Sequence, residues 1–261
     1  MRIASGSFIA ALALAAASAS AATLPADPLA SPMWDFVADQ AFGAGARVAF
    51  DPRVKVRFPG IAENQRVFPV QVDARGIPDV KRIVILVDLN PIQIPIDYRL
   101  DDADAFVATR IKLDQRTPVR GAVQLADGSW LVSGGWIDAA GGGCSAPPAS
   151  RVKGDWAQHL GEVRGALWRS AGTTRAQLAF RHPMDTGFVN NISSYYVDEL
   201  ALTGADGRSL GKVKIQAAVS EDPVLTMLPR ARAGEAVRFH ARDTNGIEYR
   251  GTLTDRAGPA A

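Results

Sequence analysis

Cys144 is the only cysteine of the chain, and it lies in a stretch that is poorly suited to regular secondary structure. Three glycines come directly before it: Gly141, Gly142 and Gly143. Pro147 and Pro148 follow shortly after it. Because glycine frees the backbone, this pattern predicts a flexible arm with an exposed thiol at its tip. A thiol in that position can act as a nucleophile or as a point of covalent attachment.

Other residues that could do chemistry give weaker patterns. The three histidines have no metal-binding spacing; they are His159, His182 and His240. His182 could join Cys144, Met184 or Met227 in a copper site, since imidazole and sulfur suit that metal, or it could act as the base of a thiol enzyme. A nucleophile needs a rigidly oriented base, however, and a triglycine segment does not provide one. We therefore predict no catalytic residue, no metal ligand and no cofactor.

The N-terminus has the pattern of a secretory signal peptide, residues 1–21. Arg2 supplies the positive charge, Phe8–Ala17 is a short apolar segment, and Ala19–Ala21 is a small-residue cleavage site. We expect the mature chain to be exported, to the periplasm of a Gram-negative cell. In such an oxidising compartment a lone cysteine either stays free and reactive or forms an intermolecular disulfide, here a homodimer.

Composition places the mature chain among ordinary globular proteins. Hydrophobic residues make up 47% of the sequence and charged residues 21%, which is enough apolar material for a sizeable core. The net charge of +2 becomes +1 after loss of Arg2, with 28 basic and 27 acidic residues left. Nothing in this balance calls for a nucleic acid or an anionic membrane as partner. No stretch after the signal has the length of a transmembrane helix.

Short alternating segments predict an all-β protein made of two antiparallel sandwiches. The proposed organisation is a first domain over 31–138, a cysteine-bearing tether and linker over 139–172, and a second domain over 173–256. A short helix is expected to begin at Ser31-Pro32 and to end at Gly43. The strongest hairpin signal is Asn245-Gly246. The spacing of four apolar residues also allows one amphipathic helix in the linker: Trp156, Leu160, Val163 and Leu167.

Several motifs resemble a known pair of protein families. The run Val80–Leu89 with Asn90-Pro91-Ile92, then AFVATRIKL, DGSW and GGGC, resembles SoxY, the sulfur carrier of bacterial thiosulfate oxidation. The second half resembles its partner subunit SoxZ, through the three stretches RHPMDTG (181–187), YYVDEL (195–200) and AVSEDP (218–223). As a whole the chain resembles fused SoxYZ-like carriers associated with quinoprotein dehydrogenases.

The resemblance implies two immunoglobulin-like β-sandwiches packed on each other, with Cys144 holding a sulfur substrate covalently for partner enzymes. Those partners would be periplasmic redox or hydrolytic enzymes, among them a PQQ-dependent dehydrogenase or a c-type cytochrome. The carrier itself would not be an enzyme. The alternative is a docking module for a quinoprotein dehydrogenase in which the thiol is incidental.

This chain departs from the separate SoxY pattern at the arm. In that family the arm typically reads GGCGG and ends the chain, whereas here Ser145 and the two prolines lead into the second domain. The thiol can therefore enter a partner only on a doubled-back loop. We expect partners with wider openings, or different enzymes for loading and unloading.

Overall fold

The computed structural model describes residues 23–149, 151, 154–170 and 172–256, and the predicted signal peptide lies outside them. Two β-sheets pack face to face, with short helices outside them. The elements are α1 Trp34–Phe42, α2 Trp156–His159, β1 Val48–Phe50, β2 Lys55–Arg57, β3 Phe68–Asp73, β4 Val80–Val87, β5 Ile96–Leu100, β6 Ala103–Ile111, β7 Thr117–Leu125, β8 Trp130–Ile137, β9 Val163–Ser170, β10 Thr173–Phe180, β11 Val197–Thr203, β12 Ser209–Ile215, β13 Val224–Pro229, β14 Val237–Asp243 and β15 Glu248–Leu253.

Both sheets run through both halves of the chain. The nine-stranded sheet has the order β1-β8-β7-β4-β5-β12-β11-β14-β15, and the six-stranded sheet has the order β2-β3-β6-β13-β10-β9. The halves meet where β5 pairs with β12 and β6 pairs with β13, both antiparallel. One hydrophobic cluster accordingly contains buried residues from both halves. The all-β sandwich prediction is confirmed. Among the strands named above, the pairing is antiparallel apart from the parallel β1–β8 pair.

Helix α1 covers the outer face of the nine-stranded sheet. Trp34 and Val37 of the helix pack in a second cluster against Val84 and Leu86 of β4. Strand β4 is therefore buried on both faces, which explains its unbroken apolar run from Ile83 to Val87. The helix begins two residues later than predicted, with Met33 rather than Ser31 at its N-cap.

The predicted linker helix is mostly wrong. Helix α2 ends at His159, while Val163 and Leu167 lie in β9 and pair with β10. A β-carbon at Gly165 would lie 2.3 Å from Leu253 Cδ2, so that glycine lets β9 pack closely against β15. Edge pairing with β10 thus outweighs a helical pattern that glycine already weakens.

The hairpin predicted at Asn245-Gly246 is confirmed, since β14 and β15 pair directly around it and Gly246 has φ of +86°. None of the helices within the described residues has the length and apolar character of a bilayer-spanning segment.

A buried ion cluster fastens the N-terminal segment to this frame. The Arg120 side chain in β7 is 1% exposed and pairs with Asp27 and with Asp88, which are 6% and 0% exposed. The same guanidinium stacks on Trp34, 4.6 Å from the ring centre. Burial of these charges is tolerated because the two carboxylates and the guanidinium satisfy each other.

We predict that Arg120→Met lowers the free energy of unfolding by about 3–5 kcal/mol, because two buried carboxylates lose their cation. Urea denaturation measures this change. Arg47→Met is the matched control, since the Arg47–Asp127 pair is exposed and should contribute less than about 1 kcal/mol. Equal effects of the two substitutions would contradict the stabilising role of the buried cluster.

Candidate functional site

The arm, residues 139–149, leaves β8 and folds back against the body of the protein. Its starting point is Asp138, which forms a β-bridge with Ile61 and accepts the Ala62 N–H at 3.1 Å. The arm then runs beside the segment that follows β6. There the Gly143 N–H donates to Leu113 O at 3.0 Å.

The prediction of an exposed thiol is wrong, because Cys144 is only 1% exposed. Gly143 shows why the arm can pack: a β-carbon there would lie 2.4 Å from both Gln65 O and Leu113 O. Gly141 has φ of +95°, a conformation that side chains disfavour. Gly141 and Gly143 therefore permit close backbone packing, and the flexibility of Gly141, Gly142 and Gly143 as an arm stays a prediction.

Asp114 holds the cysteine end of the arm through a single carboxylate oxygen. Its Oδ1 accepts the Cys144 N–H at 3.0 Å, the Ser145 N–H at 3.2 Å and the Ser145 hydroxyl at 3.1 Å. Asp114 is itself positioned by Asn90, whose Oδ1 accepts the Asp114 N–H at 2.9 Å. This arrangement ties the arm to the loop that follows β4.

The thiol lies among buried polar groups from both halves. Asn90 Nδ2 is 3.9 Å from Cys144 Sγ and donates to Lys112 O at 2.7 Å. Burial raises the pKa of the Cys144 thiol to about 12, and the nearby Lys112 ammonium only partly opposes that shift. In this position the sulfur is a neutral thiol at physiological pH and is poorly nucleophilic.

Lys112 connects the thiol environment to the second half of the chain. Its ammonium donates to Ala217 O at 2.8 Å and also to Met184 O. Burial lowers the pKa of Lys112 to about 8, while a thiolate at Cys144 and the charges of Asp185 and Glu221 would raise that pKa. The lysine is thus a cation held mainly by neutral carbonyl groups at neutral pH.

The turn after β10 forms the other side of the site. His182 Nδ1 accepts the Met184 N–H at 3.0 Å, so Nε2 carries the ring proton and faces Asp243 Oδ2 at 3.6 Å. Asp243 also accepts the hydroxyls of Tyr195 and Tyr249 at 2.8 and 3.0 Å. Burial lowers the pKa of His182 to about 4 despite the nearby carboxylate. His182 therefore supports the turn as a neutral side chain.

The end of this turn contacts the arm directly. The Thr186 hydroxyl donates to Cys144 O at 2.6 Å. Asp185 forms an ion pair with Arg151, whose guanidinium lies 4.0 Å from the centre of the Trp156 ring. Arg151 is thus engaged by Asp185 and Trp156. Lys153, another cation near the thiol in sequence, lies outside the described residues.

The structure does not assemble a metal site or a catalytic pair around the thiol. Within residues 23–149, 151, 154–170 and 172–256, no group of three or more His, Cys, Asp or Glu side chains is arranged to hold a metal ion. Met184 Sδ accepts the Val197 N–H at 3.4 Å, and His182 Nδ1 is occupied by the Met184 N–H. Among the described residues, no hydrogen bond joins His182 to Cys144.

Sequence reasoning identified the thiol but missed the groups around it, which are Asn90, Lys112, Asp114 and Thr186. The signal for them was present: Asn90 follows the buried run of β4, Lys112 and Asp114 follow β6, and Thr186 belongs to the HPMDTG stretch. These residues lie close together because the two halves of the chain pair with each other. The sequence pattern did not show that pairing.

Comparison with known proteins identifies two families in order along the chain. The family described as "Sulfur oxidation protein SoxY" matches residues 38–144, and the family described as "Sulphur oxidation protein SoxZ" matches residues 165–254. The matches cover 107 and 90 of the 261 residues, three quarters of the chain together. The first match ends at Cys144 itself.

Among solved structures, the sulfur carrier protein SoxY from Chlorobium limicola f thiosulfatophilum is 20% identical, with a TM-score of 0.37. The alignment covers 41% of this chain and 94% of that one. No curated protein sequence matches the chain.

We predict that Asp114→Ala speeds alkylation of Cys144 by iodoacetamide about tenfold or more, because it removes hydrogen bonds worth about 0.5–1.5 kcal/mol each. Labelling followed by mass spectrometry measures the rate. Asp127→Ala is the matched control: Asp127 Oδ1 accepts the Ser129 N–H and hydroxyl in the same way, at the opposite end of β8. A rate unchanged by Asp114→Ala would show that this carboxylate does not hold the arm closed.

We predict that acid destabilises the protein through His182. Its pKa is lowered by folding, so the unfolded chain binds the proton first, and stability falls as the pH drops from about 6.5 towards 4. His182→Asn keeps an acceptor for the Met184 N–H and does not titrate, so it should flatten this part of the stability profile. Urea unfolding between pH 4 and pH 7 tests it; an unchanged slope in the variant would exclude His182 as the source.

Proposed function

This chain belongs to the SoxYZ-like sulfur carriers, with SoxY and SoxZ fused in one polypeptide, and from that premise we propose that Cys144 carries its sulfur cargo on a swinging arm in the periplasm. The protein presents the cargo to partner enzymes and performs no catalysis itself. The observation that supports this most is the position of the only thiol between two anchors on the body of the protein.

Cys144 lies six residues after Asp138 and seven residues before Arg151. The first anchor is the β-bridge to Ile61, and the second is the ion pair of Arg151 with Asp185. A thiol at the midpoint of a tethered loop has the greatest excursion that the loop allows. Six extended residues span roughly 20 Å, which is enough to enter the active site of another protein.

The carrier cycle requires the arm to open. In the closed arrangement burial keeps the pKa of the thiol near 12, so loading by thiolate chemistry needs transfer of Cys144 to water. The contacts that must break are hydrogen bonds between the arm and Gln65, Arg66, Leu113, Asp114, Thr186 and Glu221. Local opening against contacts of this kind is accessible to folded proteins.

The chemistry of the cargo defines two classes of partner. Joining the Cys144 thiolate to a sulfur anion such as thiosulfate forms an S–S bond and releases two electrons, which a redox enzyme must accept. A c-type cytochrome or a PQQ-dependent dehydrogenase fits that need. Removing the terminal sulfonate as sulfate consumes water and leaves a sulfur atom on Cys144, which calls for a hydrolytic enzyme.

The fused arm sets a geometric requirement on these partners. Both ends of the arm are attached to the body, so the thiol enters as a doubled chain rather than as a single terminal thread. We propose that the partner sites are wider than those serving a terminal arm, or that separate enzymes load and unload the cargo.

Burial of the thiol favours a second candidate function. Cys144 is buried and protonated, as an incidental cysteine would be. Phe188, two residues after Thr186, is 50% exposed and offers an apolar surface. A docking module for a periplasmic quinoprotein dehydrogenase would use such a surface and not the thiol. A disulfide homodimer through Cys144 would likewise need the arm to open first.

Intact mass spectrometry of protein purified from the periplasm without reductant separates these functions. A carrier shows a discrete mass increment that reductant removes and that is absent from Cys144→Ser. Ser145→Ala is the matched control, because it changes the neighbouring side chain and keeps the thiol. An unmodified thiol while the donor pathway is active, or a disulfide dimer alone, would favour the docking module.

A further inference from the structure

The outer face of the nine-stranded sheet differs between the two halves of the chain. In the first half α1 covers this face and packs against β4. In the second half the side chains that point outward from β5, β12, β11, β14 and β15 are exposed or half-buried. Most of them are charged, so this half of the face is a polar surface open to a partner.

Strand register aligns these outward side chains in rows across the sheet. One of them, here called the basic row, runs from β4 to β15 through directly paired positions: Arg82, Arg99, Lys212, Ala201, His240 and Arg250. Adjacent strands are about 4.8 Å apart, so the basic row is roughly 24 Å long. The neighbouring row, two residues along each strand, alternates in sign: Asp97, Lys214, Glu199, Arg242 and Glu248.

Arg99 and Lys212 form the uncompensated centre of the basic row. They face each other directly across β5 and β12, and Arg99 also faces Arg82. Arg82 has Asp97 as its ion-pair partner, whereas within the described part of the chain neither Arg99 nor Lys212 forms an ion pair. Like charges directly opposite each other destabilise a sheet. The net charge of the chain is only +2, so this concentration of positive charge is local.

The charges of this face fit an acidic protein better than a small anion or a membrane. A small anion contacts only a few neighbouring groups, whereas the basic row extends over roughly 24 Å. A uniformly anionic membrane would repel the carboxylates of the neighbouring row, and the outward residues of these five strands include no large apolar side chain that could insert into lipid. A protein surface can present carboxylates to the basic row alone.

The basic row lies near the cysteine arm. From Lys212 the chain of β12 continues towards Ala218, whose carbonyl accepts the Lys112 N–H at 2.7 Å. The next residue, Leu113, accepts the Gly143 N–H of the arm at 3.0 Å. Six residues separate Lys212 from Ala218, which is at most roughly 20 Å and comparable with the span of the arm. A partner that binds the basic row and extends over this end of the sheet is therefore within reach of the thiol.

We propose that the basic row, centred on Arg99 and Lys212, is a docking surface for an acidic partner protein. Electrostatic attraction speeds the encounter and orients the partner over the end of the sheet where the arm lies. Docking itself does not depend on the thiol. Only the transfer of cargo to this partner rests on the carrier function proposed above.

The probe for this surface is fluorescently labelled poly-L-glutamate, and anisotropy at low ionic strength measures its binding to the purified chain. Arg99→Glu/Lys212→Glu reverses the two central charges, and we expect it to weaken binding about tenfold or more. Lys55→Glu/Arg57→Glu is the matched control, because it makes the same change of charge at two exposed positions of β2 in the other sheet. The control should bind as the wild type does. Equal loss in the two variants, or no binding by the wild type, would overturn the proposal.

Lys212→Glu alone serves as the second variant if the double substitution does not fold. It places a carboxylate directly opposite Arg99, so the temperature of thermal unfolding should stay the same or rise. The same substitution should weaken polyglutamate binding. A folded Lys212→Glu variant that binds polyglutamate as tightly as the wild type contradicts the proposal.

Two further measurements distinguish other occupants of the face. Binding to phosphatidylglycerol vesicles that depends on Lys212, without binding to polyglutamate, would assign the row to a membrane. Self-association in sedimentation velocity that Lys212→Glu abolishes would assign it to a second copy of the chain, and either result would overturn the proposal. Cys144→Ser should bind polyglutamate as the wild type does, so the docking test remains informative even if intact mass spectrometry refutes the carrier function.

Discussion

The pairing of β5 with β12 and of β6 with β13 is the interaction on which the surroundings of Cys144 depend. Those two junctions continue both sheets across the halves of the chain and bury one shared core. They also bring Lys112 and Asp114, which follow β6, against Met184 and Thr186 in the turn after β10. The cysteine arm then closes over groups that no single half could assemble.

The environment of the thiol combines tight backbone packing with buried polarity. Gly143 allows the arm to approach Leu113 and Gln65 more closely than any side chain would permit. The enclosed sulfur is unreactive as a thiol, because desolvation raises its pKa. Under the carrier function proposed above, storage would be separate from chemistry: the closed arm would protect the sulfur, and reaction would take place where a partner receives the open arm.

Alternation of residues predicted most of the strands, because period-two burial is a local property of a sheet. It failed at β9, where Val163 and Leu167 also fit a helical spacing and only the neighbouring strand β10 decided the outcome. It failed again at the arm. A triglycine run allows both freedom and close packing, and the choice between them depends on the surface that the arm meets.

The sequence by itself determined the all-β class, the turn positions, the single thiol and the order of the SoxY and SoxZ segments. Each of these follows from a local residue pattern or from a sequence motif. Only the tertiary structure decided that Cys144 is buried and that Asn90, Lys112, Asp114 and Thr186 surround it. Together with Cys144, those residues come from four separate segments of the chain: the loop after β4, the segment after β6, the arm and the turn after β10. Burial and charge at the sulfur arise from contacts between these segments, and no local pattern encodes such contacts.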